Sequence, residues 1–235
     1  MTAPNPYAAP QAAFAPQVPG APQGLLAGSY VPLGWRTALA AVSVLGLTVA
    51  DGVMRALQMT MGDSLTSGAR GGTPDITALA LIGFAGLGVL VMSVCSWVFI
   101  PVWFHRASSN LRGLGRYGMA FTPAGCAGWF FVPIANLWKP VQAMAEIWRA
   151  SDPEADQGSW FASSLSPLIG VWWGTYLLSG AVSSVAFFAK DDPSSGATIG
   201  LVSNVFRAAA AVALIVVMRG VSSRQEQAAS RLAGG

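Results

Sequence analysis

Four stretches of this chain, about 36–57, 77–104, 167–189 and 198–218, run for roughly twenty residues or more with almost no charge. A helix needs about 20 mostly apolar residues to cross the hydrocarbon core of a bilayer. Inside that core only helices and closed barrels satisfy every backbone N–H and C=O. Long apolar runs with no strict two-residue alternation therefore point to helices. The charge content agrees: 53% of the residues are hydrophobic and only 10% charged, whereas an average soluble domain is about a quarter charged. The expected fold class is all-α: a polytopic membrane protein with four transmembrane helices.

One further segment is neither a plain span nor a plain loop. Residues 124–151 read AGCAGWFFVPIANLWKPVQAMAEIWRAS. The first part is apolar for only about a dozen residues, a length typical of re-entrant or interfacial segments. Pro133 interrupts it, and Asn136, Lys139 and Pro140 follow at once. Beyond the break, Leu137, Val141, Met144 and Trp148 fall on one helical face, with Lys139, Gln142, Glu146 and Arg149 opposite. Such a helix suits the membrane surface. The expectation is a short dip into the bilayer followed by an amphipathic helix lying along it, over 124–150.

Charge placement argues for four crossings rather than five. If 124–148 only dips, Arg106, Arg112, Arg116, Lys139, Arg149, Arg219, Arg224 and Arg231 share one side. That side is then cytoplasmic by the positive-inside rule, with both termini there. A fifth crossing would bury Lys139 and Glu146, each costing about 2.5–3.5 kcal/mol at a helix centre. The nine tryptophans, Trp35 and Trp97 among them, also fall toward that half, as an interfacial belt would.

Residues 1–32 carry no charge and hold seven of the fifteen prolines, with Ala, Gln and Gly filling most of the rest. That composition predicts a disordered tail. It lacks the basic start and compact apolar centre of a signal peptide. The membrane domain is expected over 33–222 and a C-terminal tail over 223–235.

Asp51 and Arg207 stand within spans, where ionisable residues are candidate functional positions. At 1.5 Å per residue they lie about 9 and 13 Å below the outer ends of their helices, close enough to pair. Asp51 can instead pair with Arg55 one turn along its own helix. Asn136 is read either as lining a small pocket at the Pro133 break or as the N-cap of an anchoring wedge. Arg106, Arg112 and Arg116 are expected to meet anionic headgroups and hold the orientation. Asp152, Glu154 and Asp156 alternate as calcium loops do, but Gly158 is one place late and no closing Glu follows. His105 is the sole histidine, and Cys95 and Cys126 lie in apolar runs. No catalytic, cofactor-binding or metal-ligating set can be assembled, and no nucleic-acid partner is expected with so few basic residues.

The run FTPAGCAGWFFVPIANLWKP, continuing to EIWRASDP, resembles the bacterial membrane family catalogued as domain of unknown function 4328. The matching positions are Gly128, Trp129, Pro133, Asn136, Leu137, Trp138 and Pro140, with Asn110, Leu111 and Arg112 upstream and Trp148, Ala150 and Ser151 downstream. The resemblance covers roughly residues 80–222. It implies a few spans around a shared core motif and brings no activity, cofactor or substrate. The expected function is that of a non-enzymatic structural, interaction or regulatory component of the bacterial inner membrane. Its partners would be the lipid bilayer and a second copy or another membrane protein. The alternative is a small oligomeric transporter or channel-like protein using the Pro133–Asn136 break with Asp51 and Arg207.

Overall fold

The computed structural model describes residues 30–69, 73, 75–155, 159–188 and 193–234. The described residues are all-α, and four helices are long and apolar enough to cross a membrane. They are α1 (Gly34–Ala69), α2 (Ile76–Gly113), α5 (Pro167–Phe188) and α6 (Pro193–Gly234). Between α2 and α5 lie the short α3 (Pro123–Gly128) and α4 (Lys139–Ala150), joined through 3-10 turns at Trp129–Phe131 and Ala135–Leu137. A third such turn, Trp160–Ala162, precedes α5. The segment 124–148 is not among the four span-length helices.

Packing runs α2 on α1, α1 on α6 and α6 on α5. Neighbours are antiparallel: Thr37 of α1 reaches Trp103 of α2 and Ser222 of α6, while Thr48 accepts from Asn204 of α6. Gly86 and Gly88 face Met54 and Ala50, so α2 lies close on α1 there.

The core sits at one end of this row, here termed the closed end. Its largest fully buried side chains include Leu33, Trp103, Phe104, Leu111, Met144, Ile147, Ile169 and Met218. The α3–α4 segment fills that end: Phe104 meets Phe130 edge-on at 4.9 Å and lies 6.3 Å from Trp172. Away from it the helices present Val42, Val49, Phe84, Leu90, Val94 and Val205 outward. Outward apolar side chains over that length suit hydrocarbon surroundings, not water.

Three expectations shift here. The tail expected to end at residue 32 is already packed at Tyr30–Leu33: the Val31 N–H and carbonyl both bond the Asn110 side-chain amide, and Leu33 is fully buried. Residues 1–29 lie outside the described part. The tail expected at 223–235 is the continuation of α6, because Gln225 and Ala228 are buried on the stripe begun by Leu214, Met218 and Val221. Finally, the tryptophans do not all form a belt. Trp103, Trp160, Trp172 and Trp173 are buried core, since the interfacial end also holds the packed core. Trp35, Trp97 and Trp138 remain exposed.

Candidate functional site

At the centre of the closed end is a buried polar knot. Gln225 of α6 donates to the Ala107 carbonyl and to Ser151 Oγ, both at 3.1 Å. Its Oε1 accepts from Asn110 Nδ2 at 3.0 Å. Asn110 also donates to the Val31 carbonyl and accepts from the Val31 N–H. Beside it the Thr37 and Ser222 hydroxyls lie 3.0 Å apart, and Trp103 Nε1 donates to Thr37. Amides this deep are stable only when fully bonded, and these are. The knot joins the N-terminal arm, α2, the end of α4 and α6.

The α3–α4 segment begins and ends at that same place. Thr122 caps α3 by accepting from the Gly125 N–H, with Pro123 in the first turn. Before it, Gly115 and Gly118 take positive φ, 76° and 75°, to turn the chain back from α2. The Glu146 carboxylate of α4 accepts from the N–H groups of Ala120 and Phe121, at 2.7 and 3.1 Å. Arg116 donates to the carbonyls of Asp152 and Ala155, so entry and exit strands of the segment are clamped together. The far tip presents Phe131, Val132, Ile134, Leu137 and Trp138 outward, and the Leu137 carbonyl accepts from Trp173 Nε1 at 3.0 Å.

The motif positions thus divide. Pro140 is buried, and Trp148 donates to the Ser164 carbonyl while its ring lies under Arg224, 4.1 Å away, and against Gly220. Trp129 lies 5.8 Å from the Lys139 ammonium. Gly128, Pro133, Leu137 and Trp138 are exposed at the tip. Asn136 does not cap α4. That place falls to Trp138, whose backbone at φ −143° and ψ −25° separates Leu137 from the helix. The Asn136 side-chain oxygen is buried and has no hydrogen-bond partner among the described residues. The inward face of α4 is accordingly Pro140, Ala143, Met144, Ile147 and Ala150, rather than the expected Leu137, Val141, Met144 and Trp148. Small residues at 143 and 150 let α4 lie close on its neighbours.

The intramembrane charges come together. Asp51 Oδ2 lies 3.1 Å from Arg55 Nε and 3.3 Å from Arg207 Nη1, so both expected pairings form on one oxygen. A glycine on each helix makes room: an added Cβ at Gly200 would strike Arg55, and one at Gly52 would lie 2.8 Å from Asn204 Nδ2. Among the described residues no hydrogen bond or ion pair links this cluster to the Pro133–Asn136 tip.

Arg116, expected at lipid headgroups, is buried and turned to backbone carbonyls. Arg112 is exposed but donates to the Phe121 carbonyl and Ser108, and Arg106 is half-buried. The acidic turn is held by an Asp152 carboxylate that accepts from the Glu154 N–H, and Glu154 faces Arg231 at 3.8 Å. Burial raises the Asp152 pKa, but the Glu154 N–H, Ser163 and the cations of Arg224 and Arg116 outweigh it and hold it below the usual value. Among the described residues, no three His, Cys, Asp or Glu side chains gather as metal ligands. His105 is exposed, and both Glu146 oxygens are engaged by backbone.

Gln225 is the residue that reading the sequence missed. Its signal was position: it continues the Leu214, Met218, Val221 stripe at helical spacing.

The fold and its core define a membrane protein of four span-length helices with a short helical insertion at one end. The model of the family described as Domain of unknown function (DUF4328) matches residues 76–223, and the chain belongs to that family. The match takes in α2 through most of α6, including Asn110 and Ser151 of the knot, the tip and Arg207, but not Gln225, Val31 or Asp51. No curated protein and no solved structure matches the chain.

Proposed function

We propose that the protein is a non-enzymatic structural or interaction component of the bacterial inner membrane, with both termini cytoplasmic and its α3–α4 segment seated as a wedge in the cytoplasmic leaflet. One observation carries this: the segment leaves and returns to the same end, and its tip turns Phe131, Ile134, Leu137 and Trp138 outward. The carboxylate of the segment, Glu146, has both oxygens bound to backbone N–H groups. A wedge of this kind sits at the boundary, where amphipathic Trp and aliphatic side chains are favoured.

The test is a single labelled cysteine at Ser195, between the last two spans, and another at Ile134. Exterior labelling at 195 with quenching of a 134 probe by shallow membrane quenchers is expected. Interior labelling at 195 would make 124–148 a fifth crossing and sink the wedge.

A second reading, a small oligomeric transporter or channel-like protein, is favoured by the Asp51, Arg55 and Arg207 cluster within the apolar length of α1 and α6. Solute flux in proteoliposomes that is lost in Asp51→Asn at normal protein level would select it.

A further inference from the structure

A second feature of the closed end is a groove of about 270 Å³ between α1 and α6. Gly34, Ala38 and Ala41 form its α1 wall, and Arg219, Ser223 and Glu226 project from α6. Arg219 is the first charge after the apolar run that ends at Met218, and it is exposed. Glu226 is also exposed, two turns further from the apolar band, about 10 Å along the helix. Neither forms an ion pair among the described residues, although oppositely charged neighbours are common on such surfaces.

The order of groups along the helix axis is the informative part. α1 and α6 are antiparallel with Thr37 beside Ser222, so Ala41 lies level with Arg219 or just to its bilayer side, and Ala38 lies between the levels of Arg219 and Ser222. Moving outward from Ala41 the groove offers a cation, then the Ser223 hydroxyl, then a carboxylate, with Ala38 and Gly34 along its floor. A glycerophospholipid with an amine headgroup has the matching sequence: acyl chains, phosphate, then ammonium. Guanidinium suits phosphate, and carboxylate suits ammonium. A headgroup without an amine would leave Glu226 facing a like charge or water.

We propose that this groove holds the headgroup of one zwitterionic aminophospholipid from the adjoining leaflet, its phosphate on Arg219 and its ammonium on Glu226. The site stands apart from the wedge: it uses α1 and α6 alone, and it holds whether or not 124–148 crosses.

The experiment offers purified full-length protein equimolar phosphatidylethanolamine and phosphatidylglycerol with matched acyl chains, and counts retained lipid by native mass spectrometry. Wild type is expected to keep one phosphatidylethanolamine in preference. Glu226→Gln should lower the ethanolamine-to-glycerol ratio about fivefold, equivalent to about 1 kcal/mol for an exposed ion pair. Arg219→Gln should weaken retention of both lipids, and Ala38→Leu should displace lipid with both charges intact. Both charged positions are exposed, and an unchanged thermal midpoint certifies the fold. Equal retention of the two lipids by wild type, or an unchanged ratio in Glu226→Gln, overturns the proposal. The labelling readouts at 134 and 195 are independent, so either idea can fail alone.

Discussion

The carboxylate of Asp51 on α1 lies 3.3 Å from the guanidinium of Arg207 on α6, joining two helices that are far apart in sequence at a level where both present mostly apolar side chains. The same oxygen holds Arg55, so the aspartate is the shared member. Removing it leaves two cations facing each other in a low-dielectric setting.

Asp51→Ala is therefore expected to be more damaging than Arg207→Gln. Loss of the carboxylate should lower stability by about 3 kcal/mol, whereas Asp51 keeps Arg55 when Arg207 is lost. The double variant should lose less than the sum of the single losses. Thermal unfolding in detergent of the three proteins measures this, and strict additivity would refute the coupling.

Gly200→Ala probes the same cluster without touching a charge. An added Cβ meets Arg55, which must move away from α6 or push the helices apart. A loss of about 1–3 kcal/mol is expected from the overpacking. Gly180→Ala, where an added Cβ meets nothing, is the control and should be near neutral.

The knot at Gln225 predicts a loss spread over several elements. Gln225→Leu leaves one Asn110 amide proton without its acceptor, at about 1–3 kcal/mol for a buried donor, while Ser151 loses the Gln225 donor and keeps its bond to the Ile147 carbonyl. Hydrogen exchange should rise at the Val31 amide, which lies on the far side of Asn110. Unchanged protection at Val31 would show that the arm is held by something else.

Glu146→Ala is expected to release the turn before α3. The amides of Ala120 and Phe121 lose a charged acceptor, a change of about 1.5–3 kcal/mol per charged hydrogen bond at most. Their hydrogen exchange should accelerate while the α2 amides stay protected.

Acid should loosen the turn at Asp152. Its pKa in the folded protein is depressed, so its contribution is full above the ordinary aspartate value and is lost as pH falls through the folded value. Exchange at the Glu154 amide, which Asp152 accepts, should rise only below the usual carboxylate range. Asp152→Asn should remove that dependence.

Much of this was legible in the chain. Apolar length alone marks four spans, because a bilayer imposes a minimum run and forbids unbonded backbone. The short apolar stretch broken by Pro133 marks the insertion for the same reason. The depths of Asp51 and Arg207 follow from helical rise, which is why their meeting could be anticipated. The roles of Arg116 and Trp172 could not be anticipated. A basic loop and a tryptophan near a boundary look alike whether they face headgroups or a packed interior.

The sequence by itself determined which stretches lie along the membrane, since hydropathy and length are properties of local composition. Only the tertiary structure decided which polar residues are bound to one another. Asn110, Ser151 and Gln225 lie in three different helical segments or their ends, and nothing local in any of them names its partners. Packing brought them together at the closed end, where the helices converge and the α3–α4 segment fills the space. There the low dielectric makes a full set of hydrogen bonds the condition for burying them at all.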